Sequence, residues 1–374
     1  MKRIIVLGGS YMQLGLIEKA CEMGFEVTVL DRNEGCIASK LDGINFYPID
    51  ILKVKEVDNF LSNKTFDAAI APISEIGNIT LSKLAKKHSF IYNSEVSVKR
   101  TTEKKEMRAA LALENNHKYY SYLEIKNDLK NVKYPLIVKP SKSSASRGVT
   151  LVRKKDNLES AIKYGLEYCS EEDLLIEEFF EGKQYSVETI SQNGKHNIIA
   201  IVEERMSEAP YFVERTDILE CESQEYLKDL VYPFMKNVLD KLEIKVGPCH
   251  TEIKINDNNE IFLVEVASRS GLLRDRIIRL SGGTDYDELI IKSYLGEEIE
   301  FSKIKTPQKT IALNILMEPN DLNFYLLSKK HDLIVDEYFY PKGPEINPIR
   351  LTDAFGYYFI QDMGTLNNYC ILKK

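Results

Sequence analysis

No apolar run in this 374-residue chain approaches the length of a membrane span, which leaves no candidate transmembrane helix. The start, MKRIIVLGGS, lacks a signal-peptide cleavage pattern, and Ile4 to Leu7 is too short for the apolar region of one. A cytoplasmic protein with no membrane partner is expected. The six cysteines (Cys21, Cys36, Cys169, Cys221, Cys249, Cys370) contain no CxxC pair, so cluster-type metal spacing is excluded and free thiols are expected. The five histidines form no HExxH. There is also no excess of positive charge. Fifty basic against 57 acidic residues give a net charge of −7, so nothing in the composition favours nucleic acid. Hydrophobic residues at 44% and charged residues at 29% are ordinary for a globular chain of two or three domains.

Two nucleotide signatures are missing as well. GxxxxGK[ST] does not occur. Gly8-Gly9-Ser10-Tyr11-Met12-Gln13-Leu14-Gly15 follows an apolar strand, but its glycines are not spaced as GxGxxG. The surrounding pattern is still βαβ. A strand at residues 4–7 leads to a helix over 11–23, a strand at 25–31, and further units with strands at 46–49, 68–71 and 90–92 and helices near 52–62 and 76–88. That order implies a parallel sheet with right-handed connections. Asp31 invites a ribose-binding role, and Ser10, Gln13 and Glu75 are polar candidates on loops beyond the strand ends.

Several segments carry chemistry. Tyr134-Pro135-Leu136-Ile137-Val138-Lys139-Pro140 ends an apolar strand with a lysine, a residue seldom buried unless paired, so Lys139 is expected to reach an anion. The small-residue loop Ser141 to Gly148 and the strand 149–152 then suggest a hairpin flap able to close on phosphate. Residues 174–188 read as strand, turn at Gly182, and strand. Thr101 to Arg108 opens an amphipathic helix.

The most informative segment is Cys249-His250-Thr251-Glu252-Ile253-Lys254-Ile255, a turn-rich stretch, and Glu260 to Arg269. It reads as a β-hairpin. With an even loop, Glu252, Lys254, Glu265 and Arg269 share one face, and Thr251, Ile253, Ile255, Phe262, Val264 and Val266 form the core face. Two bare carboxylates about 5 Å apart repel by roughly 3 kcal/mol at an effective dielectric near 20. A hard divalent cation removes that repulsion, which makes the hairpin a candidate Mg²⁺ site.

Together, LGGS, Glu103-Lys104, YPLIVKP, SRGV, IEEFFEGKQYSVE, HTEIK and VEVASR occur in an order that resembles the ATP-grasp superfamily over roughly residues 1–300. Within it the likeness is to carboxylate–amine ligases, similar to carbamoyl-phosphate synthase subdomains and L-amino-acid ligases. The resemblance implies an α/β and α+β architecture: a parallel-sheet pre-ATP-grasp domain at 1–95, an ATP-grasp domain of two α+β subdomains at 96–300 with a nucleotide lid at about 115–180, and a small β-rich C-terminal subdomain at 301–374. It further implies an enzyme that activates a small carboxylate, such as an amino acid, as an acyl phosphate with ATP and joins it to an amine.

The roles it carries over are specific. Lys104 and Lys139 would contact phosphates, with Ser146, Arg147 and Gly148 as lid. Glu177 and the backbone of Phe179 and Phe180 would meet adenine, and Gln184 would meet ribose in place of the usual glutamate. Glu252 and Glu265 would hold Mg²⁺ (or Mn²⁺), and Arg269, with Lys139, would serve catalysis. The chain departs from the E-x-N-x-R metal motif at Ala267, which cannot ligate. Pro210-Tyr211-Phe212-Val213-Glu214 resembles a stretch near the acceptor site, and Tyr211, Arg215, Arg274 and Arg276 are substrate candidates, arginine being suited to a carboxylate. A homodimer is the simplest oligomer. Two alternatives stand beside the ligase: an ATP-binding regulatory or scaffold protein without catalysis, and an NAD(P)-linked oxidoreductase.

Overall fold

The computed structural model describes residues 1–111, 119–127, 129, 132–142, 147–207, 212–340, 343–344 and 353–361. The first third forms β1 (Arg3–Leu7), α1 (Leu14–Glu22), β2 (Glu26–Leu30), β3 (Ile44–Tyr47), α2 (Val54–Ser62), β4 (Ala68–Ile70) and α3 (Glu75–His88). Its four strands are parallel in the order β3-β2-β1-β4. Strand β1 is apolar from Ile4 to Leu7 because both its faces are covered there. Ile5 and Leu7 pack with Leu61 and Leu81 on one side, and Ile4 and Val6 pack with Ile277 and Ile290 on the other.

Two expectations change here. The helix expected over 11–23 begins as a 3-10 turn, Tyr11–Gln13, capped by Ser10. Residues 90–92, expected as a fifth strand, join no sheet. Phe90 and Tyr92 dock instead, while Ile91 stays exposed: the Tyr92 hydroxyl donates to Asn78 Oδ1 at 2.7 Å, and its ring stacks on Tyr294.

Helices α4 (Glu95–Arg100) and α5 (Lys104–Leu111) lead into a second sheet. It holds β5 (Tyr119–Ser121), β6 (Leu136–Pro140), β7 (Thr150–Val152) and β8 (Leu174–Glu178) in the order β5-β8-β6-β7, with α6 (Tyr122–Ile125) and α7 (Leu158–Leu166). The flap expected at 136–152 is the antiparallel pair β6–β7. Gly148 closes it with φ +76°, and a Cβ there would lie 2.8 Å from Pro140 Cγ, so glycine alone is accommodated.

A third sheet, antiparallel and eight-stranded, contains β9 (Lys183–Gln192), β10 (Lys195–Met206), β11 (Glu214–Leu219), β12 (Gly247–Ile255), β13 (Ile261–Ala267), β14 (Ile311–Leu316), β15 (Ile334–Phe339) and β16 (Gly356–Gln361). Its order is β13-β12-β9-β10-β11-β14-β16-β15. Helix α8 (Gln224–Lys241) covers one face, α9 (Arg274–Leu280) and α10 (Tyr286–Leu295) connect it to the first sheet, and α11 (Asp321–Lys330) packs near β16. The β-rich C-terminal segment therefore adds β14, β15 and β16 to this same sheet.

The expected strand–turn–strand at 174–188 is not a hairpin. Strand β8 belongs to the second sheet and β9 to the third, so residues 179–182 carry the chain from one to the other. Gly182 permits that crossing, since a Cβ would sit 2.7 Å from the carbonyl oxygen of Ile255. None of the five described cysteines is in a disulfide, and no helix among the described residues is long and apolar enough to cross a membrane.

Candidate functional site

A cavity of about 390 Å³ lies where the three sheets meet. The first sheet's connections supply Met12, Ile73 and Glu75. Helix α5 supplies Lys104, the second sheet supplies Lys139 and Glu177, and the crossing after β8 supplies Phe179 and Phe180. The third sheet supplies Gln184, Glu204, Glu214, His250, Glu252, Lys254, Phe262 and Glu265, the segment after β13 supplies Arg269, and α9 supplies Arg274.

The hairpin β12–β13 forms the floor, and its register is not uniform. Lys254 faces Phe262 and Ile253 faces Leu263, but Glu252 faces Glu265. One extra residue, Val264, is thus inserted on β13 as a bulge. The expected pairing of the two glutamates holds, but Phe262 and Val264 are corrected. Both line the cavity instead of the core, because the bulge changes the face. Phe262 stacks on Phe180, with ring centroids 5.4 Å apart.

Glu265 is held by Lys104, Nζ to Oε2 at 2.5 Å. Burial opposes the Glu265 charge, yet Lys104, then Lys139 and Arg269, bring its pKa down to about 2. Burial likewise opposes the Lys104 ammonium, and Glu265, Glu252 and Glu75 outweigh it, raising the pKa. Lys139 lies on the other wall, 5% exposed, with Nζ 2.7 Å from Glu177 Oε2. Its pKa falls to about 8, first through burial, with Glu177 opposing and Arg108 and Lys104 reinforcing. Arg147, in the flap, and Arg269 both act on Glu75, whose buried carboxyl is shifted upward by desolvation. Ser146 and Tyr211 lie outside the described residues.

The backbone expected to meet a base is partly engaged. Phe179 N–H donates to the Pro135 carbonyl at 3.0 Å, and Lys254 Nζ donates to the Phe180 carbonyl at 3.3 Å. Lys254 also lies 4.0 Å from the Phe179 ring centroid. Burial lowers its pKa to about 8. Gln184 is tied to two carboxylates: its Nε2 donates to Glu204 Oε2 at 2.9 Å and to Glu252 Oε2 at 3.1 Å.

Of the arginines expected at the substrate, Arg274 lines the cavity but is 1% exposed and committed to ion pairs with Asp217, Glu204 and Glu214 at 2.6, 2.8 and 3.0 Å. Arg215 pairs with Asp321 and Glu318, and Arg276 pairs with Asp336 and lies over the Tyr11 ring. Neither lines the cavity. Asp31 does not wait for a ribose, since its carboxylate accepts from the backbone N–H of Gly9 at 2.8 Å and Asn33 at 2.9 Å. Ser10 and Gln13 cap the 3-10 turn.

Sequence reasoning gave no role to Glu204 or His250. Glu188 grips His250 Nδ1 at 2.5 Å, and the carboxylates beside it, Glu188 first, raise its pKa to about 10 against the effect of burial. Burial, then Glu252 and Glu214, push Glu204 up to about 7. For His250 the available signal was its place between the buried Cys249 and Thr251, whereas Glu204 sits between Glu203 and Arg205 and nothing local sets it apart.

A family model for the ATP-grasp domain matches residues 132–272. The chain carries an ATP-grasp domain. Its solved structural relatives share the whole architecture. An L-amino acid ligase from Bacillus licheniformis superposes with TM-score 0.81 over 99% of this chain and 96% of that one, at 18% identity. A carboxyaminoimidazole ribonucleotide synthase from Aspergillus clavatus, complexed with ATP, superposes with TM-score 0.77 over 99% and 96%, at 16% identity. Among curated sequences, the formate-dependent phosphoribosylglycinamide formyltransferase of Saccharolobus solfataricus is 26% identical over 186 residues, 48% of this chain and 47% of that protein. The chain spans about half the length of the curated relatives it matches.

Around the carboxylate pair, the ATP-grasp domain offers hard oxygen donors. Glu252 and Glu265 face each other, with Glu204 near Glu252. Ala267 adds none, and the neighbouring Ser268 hydroxyl is bonded to Asn78 and Thr101. The cluster of Glu204 and Glu252 also includes His250, whose Nδ1 is taken by Glu188; the carboxylate oxygens of Glu252 and Glu265 are the donors that fit Mg²⁺ or Mn²⁺.

Proposed function

We propose that this protein is an ATP-dependent ligase that activates a small carboxylate as an acyl phosphate and joins it to an amine, releasing ADP and phosphate. One observation supports this above the others. Lys104, Lys139 and Arg269 line the same cavity as Glu252 and Glu265, with Lys104 paired to Glu265, so cations and metal-type carboxylates frame the same space. A triphosphate between them would meet both.

The substrate carboxylate attacks the γ-phosphorus, the bond to the β-phosphate oxygen breaks, and ADP leaves. The amine nitrogen then attacks the acyl carbon, phosphate departs with the bonding electrons, and the nitrogen loses a proton. Lys104, Lys139 and Arg269 bind and orient phosphoryl oxygens and offset the charge that develops on them. The β6–β7 flap carrying Arg147 and Gly148 excludes water, which would hydrolyse an acyl phosphate. Phe179, Phe180 and Phe262 give a flat apolar wall for the base, and Gln184 faces the sugar. Glu252 and Glu265 would hold Mg²⁺, which supplies neutralisation of phosphate charge when bound. Since no side chain needs to act as a nucleophile, the buried Cys249 is no obstacle to the mechanism.

The test is a phosphate-release screen of amino acids and small carboxylates, in pairs with amines, in the presence of ATP and Mg²⁺. At least one pair should give release that depends on both partners. ATP binding without release for any pair would favour a regulatory protein, and nicotinamide-dependent absorbance change without ATP binding would favour an oxidoreductase.

A further inference from the structure

Arg108 lies one helical turn after Lys104 on α5. Lys104 lines the cavity, and Arg108 does not. Its guanidinium instead forks onto Glu177, with Nε to Oε1 at 3.0 Å and an η-nitrogen to Oε2 at 3.1 Å. The same η-nitrogen donates to the Val264 carbonyl at 3.0 Å, at the bulge of the metal hairpin. Lys139 meets the same carboxylate, at Oε2. Arg108, Glu177 and Lys139 are 2%, 0% and 5% exposed. One buried anion is therefore shared by two cations of unequal grip.

The inequality has a physical basis. A guanidinium fork matches a carboxylate through two parallel bonds, whereas an ammonium binds it as a point charge. Two like charges converging on one carboxylate also weaken each other's hold. Arg108 is thus the cation that stays, and Lys139, which lines the cavity, is the one that can turn to another anion. Without Arg108, Glu177 would have Lys139 as its remaining partner in this trio, and a buried carboxylate gives up such a partner only at a large desolvation cost.

We infer that Arg108 is a positioning residue for the nucleotide: by satisfying Glu177 it leaves Lys139 available to a phosphate oxygen of ATP. This rests on the proposal that the cleft takes ATP. It also couples three parts of the site, since Arg108 ties α5 to β8 of the second sheet and to β13 of the third.

The experiment is a binding cycle with a non-hydrolysable ATP analogue and Mg²⁺, measured by calorimetry on full-length wild type, Arg108→Met, Lys139→Ala, Glu177→Gln, Arg108→Met/Lys139→Ala and Arg108→Met/Glu177→Gln, each checked for folding by thermal melting. Arg108→Met is expected to weaken binding by about tenfold, the scale of one charge-assisted hydrogen bond. In the Lys139→Ala background the same change should alter affinity less than about twofold, since Arg108 acts through Lys139. Glu177→Gln, measured alone and with Arg108→Met, should make the Arg108 change matter less than about twofold, because the anion that captures Lys139 is gone, while the single variant reads any base contact of Glu177 itself. A merely structural Arg108 would give the same loss with or without Lys139, and that result overturns the inference, as does wild-type affinity in Arg108→Met. If wild type binds no analogue, the ATP proposal fails and this one with it. If Arg108→Met does not fold, Arg108→Lys, which keeps the charge and loses the fork, takes its place in the same cycle.

Discussion

At the scale of single residues, the cleft separates groups held for structure from groups held for chemistry. Glu265 is kept ionised by Lys104, and Lys139 is buried with a weakened hold on its proton. Glu265→Gln and Lys139→Ala should each lower substrate-dependent ADP formation by at least about a hundredfold, the usual scale for removing a preorganised charge at a phosphoryl group. Thermal melting should show both variants folded, and unchanged turnover in both would remove these residues from the site.

The protonation of Lys139 gives a second prediction. Its folded pKa, about 8, lies below the ordinary lysine value of 10.5. The ammonium that binds phosphate is therefore present below about pH 8 and is lost above it, so KM for ATP should rise as pH passes 8 while Lys139→Ala shows no such rise. For stability the sign is opposite. The unfolded chain binds the proton more tightly, so this lysine's unfavourable contribution fades as pH rises from 8 toward 10.5. Arg274 is a cautionary case at this scale. Sequence suggested a substrate contact, but three carboxylates within 3.0 Å already claim it.

At the scale of elements, two local irregularities make the cleft. The bulge at Val264 allows Phe262 and Glu265 to face the cavity together, although they are three residues apart on one strand. Strict alternation forbids that arrangement, which explains why the hairpin was legible in the sequence but its faces were only partly so. The crossing at 179–182 is the other. Strand propensity identified β8 and β9 and the turn at Gly182, yet a turn between two strands does not reveal whether they pair. Gly182→Ala would drive a Cβ against the Ile255 carbonyl. The variant should lose about 1–3 kcal/mol of stability in a denaturant titration, a typical overpacking penalty, and bind ATP more weakly because β8 shifts against β12. A stable variant with wild-type affinity would show that the crossing is tolerant.

At the scale of the whole molecule, the connections of the first sheet buttress the segment after β13 that carries Arg269. Asn78, 1% exposed, donates to the carbonyl and the hydroxyl of Ser268 at 2.7 and 2.8 Å, and Ser270 bonds the Pro72 carbonyl. These bonds fix the backbone on either side of Arg269. Asn78→Ala should cost about 1–3 kcal/mol by leaving buried polar groups unpaired, and should lower kcat more than KM for ATP. Equal stability and equal kcat would sink that role.

Periodicity alone indicated the parallel first sheet and the strand pair at 136–152, because these depend on local spacing, and the resemblance singled out Lys104, Lys139, Glu252 and Glu265, which the structure brings to one cavity. Only the tertiary structure decided that the C-terminal strands extend the eight-stranded sheet, that Arg215 and Arg276 pair with Asp321 and Asp336 and do not line the cavity, and that Arg108 shares Glu177 with Lys139. Those facts depend on contacts between residues tens to hundreds of positions apart, where pairing, burial and competing charges select one partner among many that the local sequence leaves equally open.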